Sequence, residues 1–558
     1  MNYSSNKSIN VLTALLVAHR VRHAVVCPGS RNAPISHNLQ VVPGIICHAV
    51  TDERSAGFYA LGLSLATNEP VAVCVTSGTA LLNLAPSVAE AYYQHVPIIV
   101  ISADRPQAWI DQLDGQTLSQ GDALGRFVAK AVTLPEWNDD SSEEGITRHW
   151  HCNRLVNEAL IAARQYGGRP VHINVPITPP LYDFSIDELS EERTIQLLSL
   201  DSVFQTGTPI AYVQPMLHQL EKAQRPLIVI GQMKPSEIPS SLISGLMARQ
   251  FVVLQEPLSA TESGNCVDEM IHDASLDSSH LPDFILYVGD TLVSKSLKKY
   301  LRQASNAICW RVDENGLVHD TFMNLRGVVQ ARPAEVFGSI TGEGDKDWFG
   351  YWQGLRQQAR ERRKTFQPEY SAMLAVKLFE HLLAQTDRSA VVHYANSSAV
   401  RLGCIYATHY IYCNRGVNGI EGSLSTAAGF SLATNRNVYC VIGDLSFFYD
   451  QNALWNQGLR GNLRILLLNN GGGGIFRKFD GLRQSPAAEP LVMAKHKTSA
   501  RGICMENKVE YYCASNATEL EIGLTLLTTE QSSRPILLEV MTDSEIDWQV
   551  YQRYFESF

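Results

Sequence analysis

Two pairs of polar residues, Gly443-Asp444 and Asn469-Asn470, each follow a run of apolar residues in the sequence. The runs at 438–442 and 463–468 are short and rich in apolar residues, which is typical of buried parallel strands. Because a crossover returns the chain to the same edge of a parallel sheet, we expect Asp444 and Asn470 to meet there. Either pair alone is typical of an ordinary turn. Together with the glycine run at 471–474, their oxygens predict a site for Mg²⁺ and a phosphate group.

A carboxyl group in the first third of the chain, Glu53, is a second candidate for chemistry. It lies between an apolar run at 45–50 and an Ala- and Gly-rich segment at 56–66 that has helical composition. Taken alone, the charges around Glu53 are typical of a helix N-terminus. In a dry pocket, however, burial raises the pKa of a carboxyl group and lets it act in proton transfer.

Four arginines, at positions 31, 105, 401 and 415, follow strand-like runs or lie in loops rich in Gly, Asn and Ser. Guanidinium groups bind carboxylates in a bidentate way, so fixed arginines are suited to an anionic substrate. Such a substrate must be held against the formal net charge of −10. One arginine alone would be typical of a surface ion pair, whereas four in such loops predict an anion-binding site.

The composition excludes several classes of protein. The chain has 558 residues, of which 45% are hydrophobic and 18% charged, as expected for a soluble globular protein of about three domains. The negative net charge argues against general nucleic-acid binding. The polar N-terminal segment and the lack of a long apolar stretch predict a cytoplasmic protein. The eleven cysteines include no Cys-x-x-Cys pair, so we expect reduced thiols.

Alternation of strand-like and helical segments predicts an α/β protein with three doubly wound domains and mostly parallel sheets. We place the domains at 1–182, 183–347 and 348–558. No Gly-x-Gly-x-x-Gly motif follows a strand in the middle domain, which argues against dinucleotide binding there. The predicted strands are 23–27, 71–75, 98–102, 168–176, 226–230, 251–254 and 284–288, and the predicted helices include 9–20, 348–364 and 449–459.

These motifs resemble those of thiamine diphosphate enzymes, in which Mg²⁺ anchors the diphosphate of the cofactor through a Gly-Asp…Asn-Asn pattern. Leu445 stands where the third residue of that pattern is usually Gly. The block from Glu53 through Ser77-Gly78 to Ser102 is similar to the pyrimidine-binding domain. The resemblance implies thiamine diphosphate with Mg²⁺ or Mn²⁺. It also implies that Glu53 activates the aminopyrimidine, which takes the proton from C2 of the thiazolium.

Further motifs narrow the resemblance to the 2-succinyl-5-enolpyruvyl-6-hydroxy-3-cyclohexene-1-carboxylate (SEPHCHC) synthases of menaquinone biosynthesis. They are Pro28–Pro34, Ser102–Pro106, Asn396-Ser397 with Arg401, and Asn414–Gly429. The similarity covers the first and last domains and is weak in the middle. It implies a transferase that decarboxylates 2-oxoglutarate and adds the resulting carbanion to isochorismate. It also implies a homodimer or homotetramer with active sites between subunits, where Glu53 of one chain faces Asp444 of another.

The resemblance assigns roles to individual residues of this chain. Catalytic roles fall to Glu53, Gln116 and Arg31. The implied substrate contacts are Ser30, Arg31, Arg105, Lys295, Ser397, Arg401 and Arg415. The implied cofactor contacts are Glu53, Ser77, Gly78, Ile420, Gly443, Asp444, Leu445, Ser446, Asn470, Ile475 and Phe476. The implied metal ligands are Asp444, Asn470 and Gly472.

One departure affects the middle domain. The family often has Arg after the equivalent of Lys295, whereas Ser296 stands here. Lys298 or Lys299 could replace that arginine, and the sequence does not choose between them. Two alternative functions stay open as well: another thiamine diphosphate-dependent 2-keto acid decarboxylase or carboligase, and a binding protein without turnover. The presence of both Glu53 and the Asp444/Asn470 pair argues against the second, because a pure binder needs no group that activates the cofactor.

Overall fold

Three parallel β-sheets, one in each third of the chain, form the framework of the protein. The computed structural model describes residues 2–197, 213–259, 267–274, 279–456 and 458–556. Helices alternate with strands and cover both faces of the sheets. The α/β class and the three doubly wound sheets predicted from the sequence are therefore confirmed.

The N-terminal sheet has six strands in the order β2-β1-β3-β4-β6-β5. Its central strands are fully buried, because their continuous apolar runs face helices on both sides. The strands are β1 His23–Val26, β2 Ile46–Ala49, β3 Val71–Val75, β4 Ile98–Asp104, β5 Lys130–Thr133 and β6 Val171–Pro176. The helices are α1 Lys7–Ala18, α2 Ala33–Val41, α3 Glu53–Thr67, α4 Thr79–Asn83, α5 Ala85–Tyr93 and α6 Glu143–Ala162.

The central sheet has five strands in the order β11-β10-β9-β7-β8, with an apolar core on each face. The two strands at 308–312 and 325–329 escaped the sequence prediction, because Arg and Gly interrupt their apolar runs. The strands are β7 Pro226–Ile230, β8 Val252–Gln255, β9 Phe284–Val288, β10 Ile308–Val312 and β11 Leu325–Val329. The helices are α7 Gln214–Lys222, α8 Ser240–Ala248, α9 Val267–Asp273, α10 Lys295–Gln303, α11 Pro333–Ser339 and α12 Lys346–Thr365.

Helix α12 lies where the sequence predicts a charged helix, and it packs on the central sheet. Its buried residues Trp348, Trp352 and Leu355 belong to the same core as Leu227 and Val252. Most of the charged residues of α12 lie on its outer face, whereas Arg356 and Arg362 are buried, with Arg356 donating to the carbonyl of Val253 and Arg362 paired with Asp273. We therefore propose that the central domain extends to Thr365, beyond the boundary expected at 347.

The C-terminal sheet has five strands in the order β12-β13-β14-β16-β15. Strands β13 and β14 are neighbours, in register from Val438 with Leu463 to Gly443 with Leu468. The strands are β12 Val391–Tyr394, β13 Val438–Gly443, β14 Leu463–Asn469, β15 Glu510–Ala514 and β16 Ile536–Met541. The helices are α13 Ala372–Thr386, α14 Ser398–Tyr406, α15 Ser423–Leu432, α16 Asp444–Tyr449, α17 Asp480–Arg483, α18 Arg501–Glu506, α19 Ala517–Thr529 and α20 Ser544–Glu556.

The crossover between β13 and β14 corrects one prediction. The helix expected over 449–459 is wrong: α16 begins at Asp444 and ends at Tyr449, and a 3₁₀ turn covers Gln451–Leu454. Residue 457 of the predicted helix lies outside the described residues. The helix begins directly after the strand, so the amide groups of its first turn lie beside Asp444.

The N-terminal and C-terminal domains pack together through helices α3 and α15. The contact is close, because a Cβ atom at Gly62 would lie 2.0 Å from the carbonyl oxygen of Thr426. A Cβ atom at Gly429 would likewise lie 2.3 Å from the carbonyl oxygen of Tyr59. The hydroxyl of Tyr59 donates a hydrogen bond to the carbonyl of Ala453 at 2.6 Å. The two glycines thus fix the helix that carries Glu53 against the last domain.

Two predictions about the whole chain can be compared with the structure. Among the described residues, every cysteine is a free thiol, and most of them are buried, as expected. Cys266 lies outside the described residues. The described helices include none with the length and apolar character needed to cross a lipid bilayer.

Candidate active site

Asp444 and the glycine loop meet at the carboxyl ends of strands β13 and β14. One carboxylate oxygen of Asp444, Oδ2, accepts a hydrogen bond from the Gly472 N–H at 2.9 Å. The other, Oδ1, accepts one from the Leu445 N–H at 2.7 Å. The side chain is buried, and burial raises the pKa of the Asp444 carboxyl, while these two amide groups and His496 act in the opposite direction. The neighbourhood expected from the crossover is therefore present.

The glycine loop has a backbone conformation that few other residues adopt. Gly471 and Gly472 have φ angles of +77° and +149°. A Cβ atom at Gly472 would lie 2.7 Å from the carbonyl oxygen of Met493. The segment that contains Met493 lies over the loop, since Met493 accepts a hydrogen bond from the Gly473 N–H at 2.7 Å and the His496 N–H donates to Gly471 at 3.0 Å. The loop is thus held close to Asp444 from both sides.

Asn470 is oriented by a carboxylate. Its Nδ2 donates a hydrogen bond to Oδ2 of Asp547, on helix α20, at 2.8 Å. This contact leaves Oδ1 of Asn470 as the atom that can bind a cation. A Cβ atom at Gly443 would meet no other atom within 4 Å, so the backbone before Asp444 borders open space. The Asp444 carboxylate and the Asn470 amide oxygen are suitable ligands for Mg²⁺, and the open space at Gly443 leaves room for a diphosphate.

These groups border a cavity of about 700 Å³. It brings together most of the candidates from the last two domains, and its apolar lining includes the side chains of Met373, Leu402 and Leu468. The candidates that line it are Lys295, Ser397, Arg401, Ile420, Gly443, Asp444, Leu445, Ser446, Asn470, Gly472, Ile475 and Phe476.

Sequence reasoning missed one wall of this cavity. Asp268 and His272 reach it from α9, and Trp548, Tyr551 and Phe555 reach it from α20. The spacing 548, 551 and 555 is the i, i+3, i+7 pattern of one helix face, so the amphipathic C-terminal helix was detectable. What the pattern could not show is that this face borders the site.

The two candidate arginines of the last domain differ in their relation to the cavity, because Arg401 lines it and Arg415 does not. The Nη1 atom of Arg401 donates to the carbonyl of Ser397 at 2.6 Å, and Ser397 has a φ of +74°. Arg415, in contrast, is buried behind the wall, where its Nη1 donates to Oδ1 of Asn396 at 3.0 Å. Arg415 therefore holds the side chain of Asn396 in place, and Asn396 does line the cavity.

The central domain contributes to the cavity through the start of helix α10. Lys295 and Ser296 both line it. Lys298 lies one turn further, near Arg415 and Glu256, and burial followed by the charge of Arg415 lowers the pKa of its amine. Lys298 and Lys299 are not among the residues lining the cavity in the described part of the chain. Lys295 is thus the lysine of this helix that borders the site.

The N-terminal candidates form a second group at the edge of the first sheet. Arg31 donates to the carbonyl of Ile177 at 2.8 Å, and burial followed by the charge of Arg105 lowers the pKa of its guanidinium. Arg105 pairs with Asp114 at 3.0 Å. Ser30 and Gln116 are exposed, and Gln116 has a φ of +56°.

A buried polar network supports this second group, and sequence reasoning missed it. The Gly78 N–H donates to Oε1 of Gln120 at 2.7 Å, and Nε2 of Gln120 donates to Oδ1 of Asn174 at 2.9 Å. Asn174 in turn donates to Asp104, at 2.8 Å. The turn after Ser77 is thereby connected to the strand that ends before Arg105. A Cβ atom at Gly78 would lie 3.4 Å from the backbone of Gln116, so the two segments nearly touch.

Glu53 lies at the first position of helix α3. Asp52 caps the helix by accepting hydrogen bonds from the N–H groups of Arg54 at 2.9 Å and Ser55 at 3.4 Å. The Glu53 carboxylate is half-buried and has no hydrogen bond or ion pair with the described residues of this chain. Of the residues described, neither Glu53 nor any other N-terminal candidate lines the large cavity. On one chain, the N-terminal candidates therefore do not share the cavity that the other candidates line.

Comparison with known proteins shows the family of the chain. Residues 7–123 match the thiamine pyrophosphate enzyme, N-terminal TPP binding domain. The chain is 41% identical to the 2-succinyl-5-enolpyruvyl-6-hydroxy-3-cyclohexene-1-carboxylate synthase of Bacteroides thetaiotaomicron, over 99% of each chain. It is 40% identical to the protein of the same name from Phocaeicola vulgatus, over 99% of this chain and 98% of the relative. Its identity to that of Christiangramia forsetii is 32%, over 100% and 99% of the two chains.

Asp444, Asn470 and Gly472 are together called the Asp444 clasp. This clasp, the parallel sheets and the matched N-terminal domain are those of a thiamine diphosphate-dependent enzyme. Within that class, the similarity over the full length of the named relatives identifies the family. The chain belongs to the family of SEPHCHC synthases, which are transferases that form a C–C bond.

Proposed function

We propose that this enzyme decarboxylates 2-oxoglutarate and joins the remaining four-carbon unit to isochorismate, which gives SEPHCHC in menaquinone biosynthesis. The observation that carries the proposal is the cavity in which the Asp444 clasp and the cations Arg401 and Lys295 occur together. A diphosphate cofactor and an anionic keto acid can be held side by side there. The alternative is a thiamine diphosphate-dependent decarboxylase or carboligase that acts on another 2-keto acid.

The residues of the clasp would hold the cofactor. Asp444, Oδ1 of Asn470 and the backbone carbonyl of Gly472 would bind Mg²⁺, or Mn²⁺ in its place. Gly443, Leu445 and Ser446 would lie along the diphosphate. When bound, thiamine diphosphate supplies the carbon nucleophile that attacks the keto group and accepts the electrons released with CO₂.

The apolar wall of the cavity would favour loss of CO₂. Ile475 and Phe476 follow the glycine loop directly and line the site together with Ile420. The Ser446 hydroxyl donates to the Ile420 carbonyl, which connects this wall to the first turn of α16. Exclusion of water lowers the local dielectric, and a low dielectric favours departure of a neutral molecule from an anion.

Substrate selection would rest on fixed cations. Arg401 and Ser397 would bind the distal carboxylate of 2-oxoglutarate. Lys295, from the central domain, would assist in binding isochorismate. Each charge-assisted hydrogen bond contributes about 1.5–3 kcal/mol. The Arg401 side chain is already oriented by its bond to Ser397, so less conformational entropy is lost on binding.

The N-terminal group would complete the site from a second copy of the chain. We propose a homodimer or homotetramer, in which Glu53, Ser77 and Gly78 of one chain approach the clasp of another. Glu53 would hold a proton on the pyrimidine ring of the cofactor. The absence of any hydrogen bond from its carboxylate to the described residues leaves it available for this contact.

Ser30, Arg31 and Arg105 would then bind isochorismate from the same side as Glu53, and Gln116 would lie near the carboxylate or carbonyl of the reacting keto acid. Arg31 and Arg105 lie close enough for the charge of Arg105 to lower the pKa of the Arg31 guanidinium, so the two cations can act together once Arg105 exchanges its partner Asp114 for the substrate. Such a pair is suited to a dicarboxylate. The cytoplasmic location stays a prediction from the sequence.

An activity assay on the purified protein tests the proposal. The protein would be freed of thiamine diphosphate and metal, then supplied with each separately and together. CO₂ release from 2-oxoglutarate, and consumption of isochorismate with formation of the adduct, should both require thiamine diphosphate and a divalent cation. Release of CO₂ from a different 2-keto acid in preference to 2-oxoglutarate would support the alternative.

A further inference from the structure

Asp547 lines the same cavity as the clasp, and its carboxylate contacts the clasp directly through Asn470. Three donors converge on this side chain. The Ala372 N–H donates to Oδ1 at 2.8 Å, Nδ2 of Asn470 donates to Oδ2 at 2.8 Å, and the Thr542 hydroxyl donates to Oδ2 at 3.0 Å. Asp547 thus connects the start of α13, the end of β14 and helix α20.

We propose that Asp547 is the positioning residue that fixes the amide of Asn470 with its oxygen toward the cation. The inference rests on the proposed function, because it concerns the metal that would hold the diphosphate. An ionised carboxylate accepts hydrogen bonds and donates none, so it can bind only the NH₂ end of the amide. The orientation that exposes Oδ1 of Asn470 is therefore favoured before any metal binds.

Helix α20 is rigidly placed for this role. Ser544 Oγ accepts a hydrogen bond from Nε of Arg477 at 3.0 Å, and Glu545 pairs with Nη1 of Arg477 at 2.8 Å. Arg477 lies on the 3₁₀ turn that follows the glycine loop. The helix that carries Asp547 is therefore attached to the same loop that presents Gly472. Helix α20 thus holds both the amide of Asn470 and the glycine loop in place. Hydrogen bonds from neighbouring residues orient the ligands of other metal sites in the same way.

The conservative variant Asp547→Asn has a specific consequence. The new side chain has one oxygen and one NH₂ group. If its oxygen stays with the Ala372 N–H, its NH₂ group faces the NH₂ group of Asn470, and the two donors repel. Rotation of the Asn470 amide removes the conflict, but it turns Nδ2 toward the cation site. The variant should therefore lose metal affinity while it keeps its volume and its fold.

A second substitution should reverse this loss. In the double variant Asn470→Asp with Asp547→Asn, the new NH₂ group at 547 donates to the new carboxylate at 470, and that carboxylate keeps one oxygen for the cation. Exchange of the two side chains thus restores the hydrogen bond with its direction reversed. A role of Asp547 limited to general stability would predict no such recovery of metal affinity.

The test measures Mn²⁺ binding to the full-length protein by electron paramagnetic resonance of the free ion, with thiamine diphosphate present throughout. Asp547→Asn should bind Mn²⁺ about 10- to 100-fold more weakly than wild type, and the double variant should recover most of the loss. Glu556→Gln is the matched control, since it makes the same change from carboxylate to amide at the exposed far end of helix α20 and should bind as wild type does. Circular dichroism checks that each variant is folded.

Wild-type affinity in Asp547→Asn, or a double variant as weak as the single one, would overturn the positioning role and leave the proposed function standing. A wild-type protein that binds no Mn²⁺ with thiamine diphosphate would overturn both. If Asp547→Asn fails to fold, the double variant decides alone, because its hydrogen bonds are complete: Mn²⁺ binding supports the role, and loss of binding contradicts it.

Discussion

Oδ2 of Asp444 lies 2.9 Å from the backbone nitrogen of Gly472, and this hydrogen bond joins the ends of two neighbouring strands. The two residues are far apart in sequence, yet the crossover places them at one edge of the sheet. The carboxylate is held in place by backbone amide groups before a cation arrives. The positions of strands β13 and β14 therefore determine much of the geometry of the proposed metal site, because Asp444 and the glycine loop follow them directly.

Removal of the Asp444 carboxylate should weaken metal and cofactor together. In Asp444→Ala, the cation loses its charged ligand and the diphosphate loses the cation that bridges it to the protein. Titration calorimetry with thiamine diphosphate, at fixed Mg²⁺, should show a large loss of affinity. Glu521→Ala, an exposed acid on helix α19, is the control and should bind normally. Unchanged cofactor affinity in Asp444→Ala would exclude the residue as a metal ligand.

Glu53→Gln should separate binding from turnover. Gln retains the volume of Glu but cannot exchange a proton, so thiamine diphosphate should bind while the rate of 2-oxoglutarate decarboxylation falls about 10²- to 10⁴-fold. Asp52→Asn is the matched control, because Asn also caps helices well and should preserve α3. Steady-state kinetics measure the turnover of 2-oxoglutarate and, when thiamine diphosphate is varied, the apparent affinity for the cofactor. Near-normal turnover in Glu53→Gln would remove the residue from the activation step.

Mixed oligomers test whether the site lies between chains. Asp444→Ala and Glu53→Gln, each inactive alone, should regain activity when they are co-expressed. A mixed dimer would contain one site with both native residues and one site with neither. The control is co-expression of two differently tagged copies of Glu53→Gln, which should stay inactive. Failure of the mixed pair to regain activity, with mixed dimers present on a tandem affinity column, would place both residues in the same chain's site.

Arg401 should select keto acids with a distal carboxylate. Arg401→Gln should raise KM for 2-oxoglutarate about 10- to 150-fold, the equivalent of about 1.5–3 kcal/mol. The same variant should have little effect on 2-oxopentanoate, which has a methyl group in place of the carboxylate. Arg388→Gln, an exposed arginine after helix α13, is the control. An equal effect on both keto acids would show that Arg401 does not contact the carboxylate.

The stability of the fold should depend on the protonation of Asp450. This residue is buried, and burial raises the pKa of its carboxyl from 3.8 to about 7, while Ser425 donates two hydrogen bonds to it. The pKa of the Asp450 carboxyl is higher in the folded protein than in the unfolded chain. The contribution of the protonated carboxyl to the free energy of unfolding is therefore fully present below the unfolded pKa. It is lost as the pH rises through the folded pKa.

The variant Asp450→Asn isolates this effect. An amide is neutral at every pH and can still pair with Ser425, whose hydroxyl can accept as well as donate. Relative to wild type, the unfolding temperature of the variant should therefore rise by a few degrees between about pH 4.5 and about pH 7.5. A constant difference between the two proteins over this range would contradict the raised pKa.

The sequence predicted those features that depend on short-range pattern. The strands of the Asp444 clasp were correct because a buried parallel strand is a continuous apolar run, and Gly443 and Asn469 mark its end. The helix in the crossover was misplaced, because it begins at Asp444 directly after the strand, with no connecting loop between them. The end of strand β13, and not local helix propensity, determines where this helix begins.

The remaining features depend on tertiary contacts that no pattern encodes. Asp547 lies 77 positions after Asn470, and its contact follows from how helix α20 docks on the last sheet. Arg415 is predicted near the substrate from its place in an Asn- and Gly-rich loop. The pattern gave no sign that its side chain is buried and donates to Oδ1 of Asn396.

The most direct measurement is a crystal structure of the protein with thiamine diphosphate and Mg²⁺ bound. The diphosphate should lie at Asp444, Asn470 and Gly472 of one chain, and the pyrimidine ring should contact the Glu53 carboxylate of another chain. A cofactor bound with its diphosphate away from position 444, or with its pyrimidine ring away from every copy of Glu53, would contradict the account.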